Sequence, residues 1–225
     1  MRTPGIRHLV GVIRADLYRY GGATGIKGFL ATYCQKPGFQ YVLWMRIAAH
    51  LHRYRRWRIP YFFSSWMRRR LEIKYGISIP HTTDIGPGLF IGHWGGIVVN
   101  DRVIIGRDCN LSHGVTIGRR NRGRFKGCPR IGDRVYVGPG AAIIGSVCVG
   151  SDVAIGANAV VVDHVPDNAV VVGNPAYVVS ARGSDGYVNW TLDEHASPIG
   201  FDDAPAAPSQ ATDEGVPPLH GGERG

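Results

Sequence analysis

From Ile85 to Val161 an aliphatic residue returns every six positions, usually with glycine after it. The series runs Ile85, Ile91, Ile97, then Ile105, Leu111, Ile117, then Ile131, Val137, Ile143, Val149, Ile155 and Val161. A helix repeats its apolar side at about 3.6 residues and a half-buried strand at 2, so a period of six belongs to neither. It predicts a mainly β protein: a parallel β-helix of hexapeptide repeats, each supplying one short strand and one turn. Three repeats close a triangular coil, and the aliphatic residue points inward onto its counterpart one coil away, about 4.8 Å distant. No coil buries its own face, so the stack itself supplies the core. Arg107-Asp108, Asp133-Arg134 and Ser151-Asp152 follow glycines at the corners, where polar turn residues belong. A β-sandwich would instead require alternation at 2.

The series slips twice. Ile97 to Ile105 is eight, which adds two residues at a corner, and Ile117 to Ile131 is fourteen, which ejects a loop within residues 119–130. That loop holds Arg119, Arg120, Arg122, Arg124 and Lys126. Insertions leave a solenoid from its corners and often carry function. Before the repeats, apolar residues at helical spacing, punctuated by Pro37 and Pro60, predict an α-helical region over 1–78. The β-helix is expected over 79–182. Residues 183–225, rich in Gly, Pro, Ala, Asp and Glu, read as a disordered tail.

The net charge of +9 is unevenly spread. Residues 1–80 carry fifteen Lys or Arg against Asp16 and Glu72 alone, whereas eight acids and one arginine follow Gly183. No recognition motif accompanies the basic charge, so nucleic acid is not the expected partner. A phosphate-bearing cofactor or an acidic lipid suits it better. Cys34, Cys109, Cys128 and Cys148 form no CxxC pair, which points to neither zinc nor a disulfide framework and fits a reducing compartment. Residues 41–51 are the most apolar run, but they include Arg46 and His50 and are too few to span a bilayer. The expectation is a cytoplasmic protein. Residues 53–70 mix seven arginines with Trp57, Tyr61, Phe62, Phe63, Trp66 and Met67. That mixture fits either an ordinary helical cap or oligomer contact, or peripheral contact with the inner face of the membrane.

Two histidines stand out. His93 follows Ile91 by two and His113 follows Leu111 by two, and one full coil separates the two aliphatics. Both imidazoles should therefore lie on one face, one above the other. Histidine can take a proton from a hydroxyl near neutral pH. The run Ile91-Gly92-His93-Trp94-Gly95-Gly96 adds a double glycine that lets backbone or ligand approach closely. His93 is thus the candidate catalytic base, while His113 either assists it or lines an interface.

Residues 81–180 resemble the serine acetyltransferase family of hexapeptide acyltransferases. The resemblance rests on Gly86-Pro87-Gly88-Leu89-Phe90-Ile91-Gly92-His93, Leu111-Ser112-His113-Gly114-Val115-Thr116-Ile117-Gly118 and Gly138-Pro139-Gly140-Ala141. It continues through Ile155-Gly156-Ala157-Asn158-Ala159 and Val172-Gly173-Asn174-Pro175-Ala176. It implies a left-handed β-helix and acetyl transfer from acetyl-CoA to a hydroxyl, with no metal. His93 takes the place of the family's base. Gly118, Arg119, Gly138, Pro139, Ala154 and Ala157 would line the pantetheine arm, and Arg122, Arg124 and Lys126 would meet the phosphates. It also implies a homotrimer or a dimer of trimers, with sites between subunits.

Several positions depart from the family pattern. Gly92 stands where the family has an aspartate, Ser78 where its orienting aspartate falls, and Gly127-Cys128 where it has an Arg-His pair. The C-terminal Gly225 replaces the isoleucine that docks the cysteine-forming partner enzyme. Cys128 reads as replacement packing rather than as a nucleophile. Gly-His-Trp-Gly-Gly with Ile97-Val98-Val99 and Asn121-Arg122-Gly123 also resembles the polysaccharide-linked branch of the family. A neutral sugar needs no ammonium-binding aspartate. The expected acceptor is therefore a saccharide or polysaccharide-precursor hydroxyl, with L-serine as the alternative and a non-catalytic scaffold as the contrary class.

Overall fold

Three faces of short strands, one strand per repeat, make up most of the computed structural model, which describes residues 5–54 and 57–192. The first face holds Ile77–Ser78, Ile97–Val99, Thr116–Gly118, Ala142–Ile144 and Val160–Val161. The second holds Asp84–Ile85, Ile104–Ile105, Arg130–Ile131 and Cys148–Val149. The third holds Phe90–Ile91, Asn110–Leu111, Tyr136–Val137, Ala154–Ile155 and Val170–Val172. All these pairings are parallel, and only Tyr177–Ser180 joins antiparallel, at the edge of the third face. Every aliphatic residue of the six-residue series is buried. Ile91, Leu111, Val137 and Ile155 stack in register, as a parallel β-helix requires.

The two-residue slip falls elsewhere than the spacing suggested. Val99, not Ile97, pairs with Ile117, while Ile97 sits two residues earlier on the same strand, beside Ile77. The extra residues therefore lie between Ile91 and Val99, in the turn that carries His93 and Trp94. The spacing misled because both Ile97 and Val99 point inward, so either could have continued the series. The fourteen-residue gap does eject a loop. It is closed by paired backbone hydrogen bonds between Arg120 and Gly127 at 2.9 and 3.0 Å.

Among the described residues four helices precede the coils: α1 (Ile6–Tyr18), α2 (Gly25–Gln35), α3 (Pro37–His52) and α4 (Arg58–Tyr75). Pro37 begins α3, where its missing N–H is no loss, and Gly76 ends α4 in the left-handed conformation. Helix α3 lies among the others and meets the β-helix through Tyr41, Val42 and Met45, which join its apolar core, and through buried polar groups. The Asp16 carboxylate accepts from Arg46 at 2.9 and 3.1 Å and from the Gly88 and Leu89 N–H groups at 2.9 Å. Arg46 also donates to the Ile85 and Gly86 carbonyls at 2.6 Å. Burial pushes the Asp16 carboxyl up from its ordinary value, against the pull of Arg46 and the two amides. The buried Tyr41 hydroxyl donates to the Ile79 carbonyl at 2.8 Å and accepts from the Ile79 N–H at 3.0 Å.

The chain after Arg182 corrects the composition reading. Residues 183–192 pack back on the third face instead of leaving it. Ser184 bonds the Asp152 and Arg134 carbonyls, Asn110 donates to the Tyr187 carbonyl, and Tyr187 stacks on Tyr136 at 4.6 Å. Trp190 meets Tyr18 edge-on, and Arg19 donates to Gly88, Asn110 and the Asn189 carbonyl. Two aromatic rings and a few backbone bonds suffice, which a residue average does not register. The rest of the expected tail, 193–225, lies outside the described residues.

Candidate active site

The turn bearing His93 is pinned from both sides. Gly38, at the start of α3, packs so closely on Ile91 that a Cβ there would collide with the Ile91 carbonyl oxygen. The Tyr20 hydroxyl also bonds the Ile91 carbonyl, at 3.2 Å, and burial pushes its pKa up, so it stays a hydroxyl. On the far side the Ile97 N–H donates to the Gly76 carbonyl at 3.0 Å, joining the end of α4 to the turn. Gly76, Gly96, Gly114 and Gly140 all have φ between 63° and 72° and stack in one column. Left-handed backbone at successive coils keeps this corner narrow, and only glycine adopts it without steric cost.

The paired strands put His93, His113, Pro139 and Ala157 at equivalent corner positions in four successive coils. Adjacent coils are about 4.8 Å apart, so this column spans roughly 14 Å. The two imidazoles meet edge to face with ring centroids 6.1 Å apart. With Trp94 they line an open cavity of about 310 Å³. Trp94 itself leans on Tyr75 of α4, centroids 6.2 Å apart. Both histidines are exposed, and neither imidazole has a hydrogen-bond partner among the described residues.

The basic loop leaves from the opposite edge of the first face. Gly118, where it begins, lines a second cavity of about 470 Å³ with Thr82, Val98, Asn100, Asp101 and Thr116. Arg119, Arg122, Arg124 and Lys126 are exposed. The loop is anchored at Phe125, whose carbonyl accepts from the Ser146 N–H at 2.9 Å and whose ring meets His164 edge-on at 5.1 Å. The Arg124 guanidinium lies over the same ring. Cys128 is half-buried against the core and bonds the Asn100 side chain at 3.3 Å, a packing environment.

The expected site residues therefore separate into groups. His93, His113, Pro139 and Ala157 share one corner with the buried Gly138 beside them, and Gly118, Arg119 and the loop cations share the other. Ala154 belongs to neither: it is buried on the third face, in the strand beside Tyr136, whose ring Tyr187 covers.

Glu72 is a residue that spacing did not single out. Its carboxylate accepts from Ser78 at 2.9 Å and from Arg68 and Arg69, so α4 brings an acid to the position where the repeat itself offers only a serine. Its being the only acid between Asp16 and Asp84 was the available signal. Among the described residues, no group of His, Cys, Asp and Glu could hold a metal ion.

No protein-family model matches the chain. Individual relatives do. A serine acetyltransferase of Helicobacter pylori is 41% identical over 146 residues, covering 64% of this chain and 82% of its own length. One from Mycobacterium tuberculosis is 41% identical over 123 residues, 54% of each chain. The crystal structure of Neisseria gonorrhoeae serine acetyltransferase in complex with serine superposes with a TM-score of 0.65 at 28% identity, covering 78% of this chain and 70% of that one. A Brucella abortus serine acetyltransferase in complex with coenzyme A gives 0.61 at 28%, covering 76% and 66%.

These matches overturn the expected saccharide acceptor. Each relative and neighbour cited is a serine acetyltransferase, so a missing carboxylate at Gly92 or Ser78 was not a signal for a sugar. The scaffold reading falls with it. With 41% identity over four-fifths of a relative and the same architecture, the chain belongs to the serine acetyltransferase family of acetyl-CoA-dependent acyltransferases.

Proposed function

We propose that this protein is a serine O-acetyltransferase, moving acetyl from acetyl-CoA to the L-serine hydroxyl to give O-acetyl-L-serine and CoA, a step toward cysteine. The observation that carries this is His93 standing over His113 at an open corner, in a chain so similar to serine acetyltransferases. His93 takes the hydroxyl proton as the serine oxygen attacks the thioester carbonyl. The carbon–sulfur bond then breaks, and the proton passes to the departing sulfur. Base catalysis of this type is worth about 10²–10⁴-fold. Acetyl-CoA supplies the activated acyl group.

The residues present suit that co-substrate. Pro139 and Ala157 extend the histidine column as small, flat neighbours along which a pantetheine arm can lie. Gly118 with its cavity and the loop cations Arg119, Arg122, Arg124 and Lys126 offer room and charge for its phosphates. In one chain these two groups sit at opposite edges of the first face. The histidines also lack a partner to orient them. Both facts support a homotrimer in which neighbouring copies bring one chain's histidines to another's loop, on a β-helix wound left-handed. His113 then assists His93 or steadies it.

The test is CoA release from acetyl-CoA by the purified protein with L-serine as acceptor. Turnover is expected, falling about 10²–10⁴-fold in His93→Ala while acetyl-CoA binding persists. Unchanged turnover in that variant would remove His93 from the mechanism. Bound acetyl-CoA without serine turnover would remove serine as the acceptor.

A further inference from the structure

Helix α4 turns an apolar stripe away from the protein. Its inner side, Ser64, Leu71 and Tyr75, is buried, but Ile59, Phe62, Phe63, Trp66 and Ile73 are 85, 65, 53, 54 and 73% exposed. Their spacing of three and four residues keeps them on one side of a helix about 27 Å long. Arg70 falls within the stripe with its guanidinium over the Trp66 ring, and Arg58, Arg69 and Lys74 flank it, all exposed. On α2, Ile26 and Leu30 are exposed as well. No helix among the described residues is long and apolar enough to cross a membrane.

Charge decides what fits this face. The only acids in residues 1–80 are Asp16 and Glu72. Asp16 is buried under Arg46, and Glu72 is held by Arg68, Arg69 and Ser78. Residues 1–80 thus carry fifteen cationic side chains against two carboxylates, both already paired, and Arg58, Arg70 and Lys74 are exposed along the stripe. A second copy of the same face would set arginine against arginine. The acidic segment 193–225 has the right charge, but its large apolar side chains are only Ile199, Phe201, Val216 and Leu219, separated by Pro, Gly and acids.

We infer that α4 docks this enzyme on an anionic lipid surface, with Phe62, Phe63 and Trp66 entering the headgroup boundary and Arg58, Arg70 and Lys74 pairing with lipid phosphates. Aromatic residues on one side and basic residues at the rim are what an in-plane helix uses. Each cation near such a surface adds to the attraction. Ile59, Phe62, Trp66 and Arg70 face away from the histidine corner, whereas Lys74 lies over Tyr75, the ring that backs Trp94 there.

The experiment is sedimentation of the full-length protein with vesicles of phosphatidylglycerol or of phosphatidylcholine, at low and high salt. Binding is expected to the anionic vesicles alone and to weaken with salt, since screening shortens the reach of surface charge. The double variant Phe62→Ser/Trp66→Ser and the double variant Arg58→Glu/Arg70→Glu should each lower the partition coefficient about tenfold or more. Both alter exposed positions, so their melting curves and CoA release should match those of the parent. Absence of binding, or equal binding to both lipids, would overturn the inference. So would vesicle-independent assembly of the parent that the Phe62→Ser/Trp66→Ser variant abolishes, which would assign the stripe to a second copy.

Discussion

The β-helix and the helical region are built on opposite principles. In the β-helix each coil repeats the one before, and the core is a column of Ile, Leu and Val shared among all of them. In the helical region no repeat exists; Tyr41, Val42, Met45, Leu71 and Tyr75 join the end of that core, and a few buried polar groups complete the attachment: Asp16 with Arg46, Tyr41 with Ile79, and Arg19 with Gly88. Distributed burial tolerates a local change because neighbouring coils still close the core. A polar joint does not, because removing one partner leaves the other buried and unpaired.

The contrast breaks most sharply at Asp16. Asp16→Ala strands Arg46 and the Gly88 and Leu89 amides, and should cost about 3–5 kcal/mol. Urea unfolding followed by both helical and β-sheet signals should then split into two transitions, the helices leaving first. Next comes Tyr41→Phe, which removes both bonds to Ile79 and should cost about 1–3 kcal/mol in the same measurement. Ile143→Val, deleting a methylene from the middle of the column, should cost only about 0.5–1.5 kcal/mol and keep a single transition. A larger loss at Ile143 than at Tyr41 would reverse the comparison.

The smallest effect concerns acid. Burial, with Arg68 and His52 nearby, holds His81 below its ordinary 6.5; burial, with Arg53 and His8, does the same for His50. A lowered folded-state pKa means the unfolded chain binds more protons between that pKa and about 6.5, so stability falls as pH drops from about 6.5 through the lowered folded-state pKa. His81 contacts the Tyr61 hydroxyl and the His52 ring, so the weakening belongs to the packing of α3 on α4. Thermal melts between pH 7.5 and 5 should show this fall, and His81→Gln should flatten it. The stacked β-helix signal should move less than the helical one.

Much of this was legible in the sequence for a simple reason. A core made by translation writes the same residue type at the same interval, so Ile91, Leu111, Val137 and Ile155 announced both strand and stacking. His93 and His113 followed from the same count. The position of the two-residue insertion did not, because Ile97 and Val99 both face inward and only strand pairing tells them apart. The segment 183–192 was misread because a few well-placed contacts outweigh an average composition. Gly92 and Ser78 were misread for a related reason: an absent side chain at one position does not say what the fold brings from elsewhere.

The sequence by itself determined the β-helix, its ejected basic loop, the alignment of the two histidines and the family, since each depends on local spacing or on residue identity. Tertiary structure alone decided that α4 delivers Glu72 behind Ser78, that the histidines and the loop stand at opposite edges of one face, and that an aromatic stripe is left uncovered. Those are consequences of how a non-repeating helical region packs on a repeating one. No interval in the sequence records where two different periods meet.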